Sequence, residues 1–503
     1  MHRRMNKCNL SVLTMLVVIL VAGTVVFAES TVRVAIGTSL STMDPQKQGA
    51  MVDMGVLVNM FDMLTFMDED MNISPWLATE WYAVDDTTWE FKLREGVHFH
   101  NGEPFNAEVV KFSIERLLAP ETASPIVELK YVEEVKVIDP YTVRIITSEI
   151  DPLIPAKLSL FGGVIVPMDY ITEFGDEHFA RNPVGTGPFE FRSWERDGSL
   201  VMEANDDYWG GRPQVDRVVI DAIPNDTSRV SALLAGDVDL ITNLGPEFFP
   251  NVEDNYSLQA VSAPGLRMMF LSLDTSWGPL TDKKVRQAIN YAIDYEAIIE
   301  MVLEGHGNRE GSLIPSPSFG YNPNVDAYEF DPIKARELLA EAGYADGFEV
   351  TIHGPSGRYL KDRDAILAIA AMLQDVGIRA TAEALEFGVF LESLYAGKLA
   401  PIYLMGNLAW TLDGTNNLAE YVKSGGDWSR VQNPAIDDLQ FIAETVVDQQ
   451  ERLAAFYEIE EIMHEEAYFA PLWTVNDLYG MSTRVQWVPR GNQVLWFGDL
   501  TIQ

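Results

Sequence analysis

The sequence predicts an α/β protein of more than one domain. Three observations carry this. Strand-like alternation and helix-like apolar stripes succeed one another along the chain. At 503 residues the chain is too long for a single core. Gly- and Pro-rich breaks near residues 182–188 and 263–265, with a third candidate at 484–490, interrupt the pattern where the chain can pass between domains. A chain that crosses more than once makes a hinge rather than a loose linker.

The elements follow in order. Arg3, Arg4 and Lys7 precede an uncharged run over residues 12–26, and Val26-Phe27-Ala28 offers a cleavage site. This is the pattern of a secretory signal peptide, residues 1–28. The apolar run is shorter than the ~20 residues a spanning helix needs. Asn6 and Lys7, polar where the twin-arginine signal prefers apolar residues, favour the ordinary export route. The single cysteine, Cys8, falls inside the signal, so the mature chain is expected to hold no disulfide and no thiolate site.

Residues 31–36 alternate as a strand, and Trp89, Phe91 and Leu93 alternate with Glu90, Lys92 and Arg94 as another. Asn106 is placed to cap a helix ending near Leu117. Val285, Ala288, Ile289, Ala292 and Ile293 form one apolar stripe of a helix that starts near Asp282. Asp331, Pro332 and Gly343 mark cap, first turn and end of the next. A helix over 362–376, a strand over 378–384, a helix over 449–466 and a strand over 469–475 complete the reading.

The chain carries 75 acidic against 36 basic residues, a net charge of −39. That balance repels nucleic acid and anionic lipid. Because the acids are scattered, they read as a solvated surface. Catalytic and metal-binding patterns are sparse. There is no Gly-x-Ser-x-Gly elbow and no phosphate-binding Gly-x4-Gly-Lys-Ser/Thr loop. His464-Glu465 lacks the second histidine of a zinc protease helix. His98 and His100 are expected to share one face of a strand as a surface pair, without a third ligand.

Three longer stretches are more specific: LATEWYAVDDTTWEFKLREGVHFHNGEPFNAEVVKFSIERLL at 77–118, NPVGTGPFEFRSWERDGSLVMEANDDYWGGRP at 182–213 with ALLAGDVDL at 232–240, and PLTDKKVRQAINYAID at 279–294. Together they resemble solute-binding protein family 5 of bacterial ABC importers, the family of dipeptide-, oligopeptide- and nickel-binding proteins. The resemblance covers essentially the whole mature chain. It implies an α/β, two-lobed periplasmic-binding-protein clamshell, type II-like, with an extra third domain. Lobe one would comprise 29–72, 183–270 and 484–503, the extra domain 73–182, and lobe two 271–483. It also implies a monomer in the periplasm that needs no cofactor, performs no catalysis and passes its ligand to the permease subunits of the importer. Trp89, Gly96 and Asp207-Tyr208-Trp209 belong to motifs that hold the scaffold.

Peptide-binding members carry a Trp-x-x-Asp segment whose Asp takes the ligand ammonium. Trp410 and Asp413 occupy those positions, although Thr415, Asn416 and Asn417 replace the Asp-Pro that normally follows. Arg358 in GRYLKDRD matches the arginine that dipeptide binders place on the ligand carboxylate, and its planar fork suits that task. Asp413 can equally be read as a solvated loop acid and Arg358 as half of a surface ion pair. Tyr359 and Trp410 can stack on a side chain or a sugar ring. Gln48 and Gly49, in the stretch 39–51 that resembles the family's first cleft loop, and Asn407 are further candidate contacts, with Met405 read as strand packing. A short peptide is the expected ligand, because a buried zwitterion needs opposite charges at both ends. An oligosaccharide is the alternative within the family, nickel or haem a further one that the few histidines disfavour, and a secreted hydrolase the alternative outside it.

Overall fold

The computed structural model describes residues 29–503 apart from Glu69, Asp70, Asp197, Pro317, Asp427, Val447 and the side chain of Asn416. The expected signal peptide, with Cys8, lies outside the described residues. Among those described, no helix is long and apolar enough to cross a membrane.

One mixed sheet of eleven strands runs through the molecule. Its centre is a pair of long antiparallel strands, Leu258–Leu273 and Phe469–Ser482. Residues 258–263 pair with 477–482, and residues 267–272 pair with 469–475, with the register broken between Ala263 and Arg267. The break contains Pro264, which has no N–H to give a ladder, and Gly265, whose absent Cβ would lie 2.4 Å from the Val475 carbonyl oxygen. On one side of the break the sheet continues through Leu240–Thr242, Thr31–Ile36 and Arg217–Ala222. On the other it continues through Ile402–Leu408, Glu349–Ser356 and Arg379–Glu386. The fold is therefore a two-lobed α/β architecture joined through two strands. The returning strand passes the break near Asn476. Arg484 lies beyond its end, bonded to Asp239 at 2.7 Å.

Local sequence signals explain the helices. Asn106 accepts from the Glu108 and Val109 amides and opens Ala107–Leu118. Asp282 opens Lys283–Ala292, and Asp331 with Pro332 opens Pro332–Glu341. The stripe Val285, Ala288, Ile289 and Ala292 is buried against Leu271, Ile369 and Leu373 in one core of the second lobe. A second core, around Phe270, Tyr403, Phe390 and Phe456, includes Met405, as expected for strand packing.

A four-stranded antiparallel sheet, Ala78–Asp85, Thr88–Leu93, Thr142–Thr147 and Val132–Asp139, carries the Ala107–Leu118 helix. Its core is continuous with Met54, Met63, Val494 and Trp496. The Asp207-Tyr208-Trp209 motif belongs to this joint. Trp209 and Trp76 indoles donate to Asp62 at 2.8 and 2.7 Å, and the Tyr208 hydroxyl donates at 3.1 Å. Burial pushes the Asp62 carboxyl up to about 6, against the pull of those donors.

Two sequence expectations change. His98 and His100 sit in a turn region, not a strand, and diverge. His98 is exposed and bonded to the Gly96 carbonyl, whereas His100 accepts from the Gly185 amide and meets the Gly187 carbonyl at 3.0 Å. Burial lowers the His100 pKa to about 4, so it is a neutral structural clasp. The strand expected over 469–475 extends to Ser482, because the ladder resumes beyond the break with Asp477 opposite Ala263, while Asn476 at the break donates its amide to the His306 carbonyl.

Candidate ligand-binding site at the junction of the lobes

The strand Glu349–Ser356 ends in a tight turn, residues 357–361, before the helix Asp362–Asp375. The Asp362 carboxylate, only 4% exposed, organises it. Its Oδ1 accepts from the Gly357 and Arg363 amides at 3.2 and 2.8 Å, and its Oδ2 from the Arg358 and Tyr359 amides at 2.9 and 3.0 Å. This over-determined turn holds Lys361 in the left-handed region, φ 52°, a conformation that disfavours a residue with a Cβ.

Arg358 projects from this turn. Its guanidinium lies 5.2 Å from the Tyr359 ring centre and 5.4 Å from that of Phe387. Among the described residues no carboxylate pairs with it and no acceptor takes its N–H groups. Tyr359 is buried and donates its hydroxyl to the Gly406 carbonyl at 3.2 Å. A Cβ at Gly406 would stand 3.0 Å from the Tyr359 ring, so that close packing depends on glycine.

A second arginine reaches the same ring from the long strand. Arg267, 7% exposed, lies 5.6 Å from the Tyr359 ring centre. It donates to the Gly406 carbonyl at 3.4 Å and to Gln493 Oε1 at 3.1 Å. Burial lowers its pKa to about 10, with the Arg358 charge adding to the effect, and it remains a cation at neutral pH. Gln493 turns its amide nitrogen to Asp477 Oδ1 at 2.7 Å. The other Asp477 oxygen is buried without a partner. Burial raises the Asp477 pKa to about 6, opposed by the Gln493 hydrogen bond and the two arginine charges.

Besides the Gln493 bonds, Trp410 and Lys361 tie this region to the rest of the molecule. Trp410 packs edge-on to Phe161, with ring centres 5.6 Å apart. Lys361 pairs with Glu247 at 3.1 Å. The half-buried Asn407 pairs with Met268 in the ladder, and its side chain forms no hydrogen bond among the described residues. Arg358, Tyr359 and the strand bearing Asn407 thus converge where the lobes meet.

Asp413 does not join them as a free acid. It is 4% exposed and caps the helix Gly414–Tyr421. Arg452 Nη2 meets both its carboxylate oxygens, at 3.0 and 2.8 Å, and the Thr415 hydroxyl donates at 2.6 Å. Neither the ammonium role nor a solvated loop describes this carboxylate: its charge is spent inside the lobe. Gln48 is likewise folded into its own turn, bonding the Pro45 carbonyl and the Ala50 amide. Gly49 is exposed and lies against Pro125.

Arg267, Gln493 and Asp477 were not among the sequence candidates. Arg267 had a readable signal, a lone charge in the apolar run LRMMFLSL. Gln493 and Asp477 had none, since amides and acids are common in this chain. Chemically, the site offers two guanidinium forks beside an aromatic ring, an arrangement suited to carboxylates.

The family model described as bacterial extracellular solute-binding proteins, family 5 Middle, matches residues 72–429. Haem-binding protein A of Haemophilus influenzae is 30% identical over 458 residues, covering 82% of this chain and 80% of its own. The dipeptide-binding protein of Escherichia coli is 28% identical over 431 residues, covering 78% and 79%. The structure of the periplasmic binding protein DppA from Helicobacter pylori, in complex with the peptide STSA, superposes with a TM-score of 0.80 at 28% identity, over 94% of this chain and 98% of that one.

Proposed function

The chain belongs to the bacterial extracellular solute-binding proteins of family 5, and we propose that it captures short peptides between its lobes in the periplasm and delivers them to the permease subunits of an ABC importer. It is a substrate-binding protein of an ABC importer system, not an enzyme. In this reading the protein is a monomer. Residues 29–72, 183–270 and 484–503 form lobe one, 73–182 the extra domain and 271–483 lobe two.

The observation that carries the peptide reading is Arg358. In a protein with 75 acidic residues, its guanidinium stands at the lobe junction with aromatic neighbours and, among the described residues, no carboxylate paired with it. The buttressed turn fixes the backbone of Arg358, so only its side chain is left to be ordered when a ligand arrives. A ligand's terminal carboxylate supplies the missing charge, and a charge-assisted hydrogen bond contributes roughly 1.5–3 kcal/mol. Tyr359, Trp410 and Asn407 supply apolar and amide surface for the rest of the peptide. Contacts made only when the lobes close shift the population toward the closed form that a permease recognises.

Thermal melting of the mature protein with di- to tetrapeptides, their C-terminal amides and oligosaccharides tests this, because a ligand of the native state raises the midpoint. Free peptides are expected to raise it. Amidation and Arg358→Ala are each expected to weaken binding by about tenfold or more. A response to sugars alone, or to amides and free peptides equally, would overturn the reading.

A further inference from the structure

The Arg358 carboxylate site has an unexplained second half. Arg267 brings another guanidinium to the same Tyr359 ring, yet both its acceptors are neutral, a carbonyl and the Gln493 amide. Its remaining N–H groups have no partner among the described residues. The nearby acid, Asp477, forms an ion pair with neither arginine. Gln493 stands between them, accepting from Arg267 on its oxygen and donating to Asp477 from its nitrogen. A neutral amide thus occupies the place where a direct Arg267–Asp477 bridge would have closed the cation off.

Two cations held this close repel one another, and a nearly buried one without an anion carries an uncompensated desolvation cost. One ligand carboxylate relieves one fork. Both guanidinium carbons lie within 5.6 Å of one ring centre, so they are separated by no more than about the span of one ring and its two neighbours, and two carboxylates carried by a single residue fall within reach of both. We infer that Arg267 and Arg358 together select ligands carrying two neighbouring carboxylates, as on a peptide ending in glutamate or aspartate. This rests on the peptide reading for the ligand backbone, but the paired-carboxylate chemistry stands on the two arginines.

The test is calorimetric titration of the full mature chain with Ala-Glu, with Ala-Gln, which has the same shape and one charge fewer, and with glutarate. Ala-Glu is expected to bind about tenfold tighter than Ala-Gln or better. In Arg267→Gln that preference should fall to within about threefold. Equal affinities for the two dipeptides in the unaltered protein overturn the inference, whether or not the variant folds. Binding of glutarate with no binding of either dipeptide supports the dicarboxylate site and sinks the peptide reading. No binding of any of the three overturns both.

Discussion

Glu460 shows how far a single residue departs from what its type suggests. In so acidic a chain a glutamate is normally a solvated charge, but this one is buried on the inner side of the Gln449–Glu466 helix. The Asn322 amide donates to it at 2.6 Å, and Ser312 also bonds it. Burial raises its pKa to about 8, and the nearby Glu310 is raised by burial to about 7. Both exceed the ordinary glutamate value of 4.5 that the unfolded chain recovers. The unfolded state therefore releases protons that the folded state keeps, and stability falls as pH rises from about 4.5 to about 8. Glu460→Gln should flatten this slope and gain on the parent at the alkaline end. Midpoints of urea unfolding between pH 5 and 8.5 decide it; parallel slopes for the two proteins would refute the assignment.

Helices and strands here are tied together by a few buried ion pairs. The Asp413–Arg452 pair joins the cap of one helix to the first turns of another, and Arg452 also bonds the Ala443 carbonyl of a third. Breaking a buried pair from one side leaves an uncompensated charge, which typically costs about 3–5 kcal/mol. Asp413→Ala is expected to lower stability by that order, read from denaturant unfolding, while the affinity per folded molecule changes little. A large loss of peptide affinity at unchanged stability would return Asp413 to the binding site. The sequence marked this position but could not tell cap from ligand contact. The distinction lies in Arg452, 39 residues away in the chain.

Across the molecule, several side-chain contacts hold the lobes together: Phe249 on His306, Gln493 on Asp477, the ion pair of Lys361 with Glu247 and, toward the segment bearing Phe161, the aromatic contact of Trp410. The ion pair is partly exposed and contributes ~0–1 kcal/mol; the aromatic contact contributes more, about 0.5–1.5 kcal/mol beyond its buried area. Trp410→Ala should therefore favour the open form in the absence of ligand. Small-angle scattering would show this as a larger radius of gyration that saturating ligand reduces again. An unchanged radius would mean that the two long strands and the other contacts set the angle between the lobes without Trp410.

The sequence by itself determined the α/β class, the boundaries of five of the helices and an interruption at 263–265, read as a possible crossing between domains, because caps, periodicity and Gly-Pro breaks act over a few residues. It also singled out Arg358 and Tyr359, through the resemblance to the family. Tertiary structure alone decided which charges are spent and which remain open. Asp413 and Arg358 look equally available in the sequence. One is neutralised by Arg452, while the other is left with a second arginine beside it. Electrostatic pairing depends on distances across the fold, and those distances follow from the packing of the lobes rather than from any local pattern.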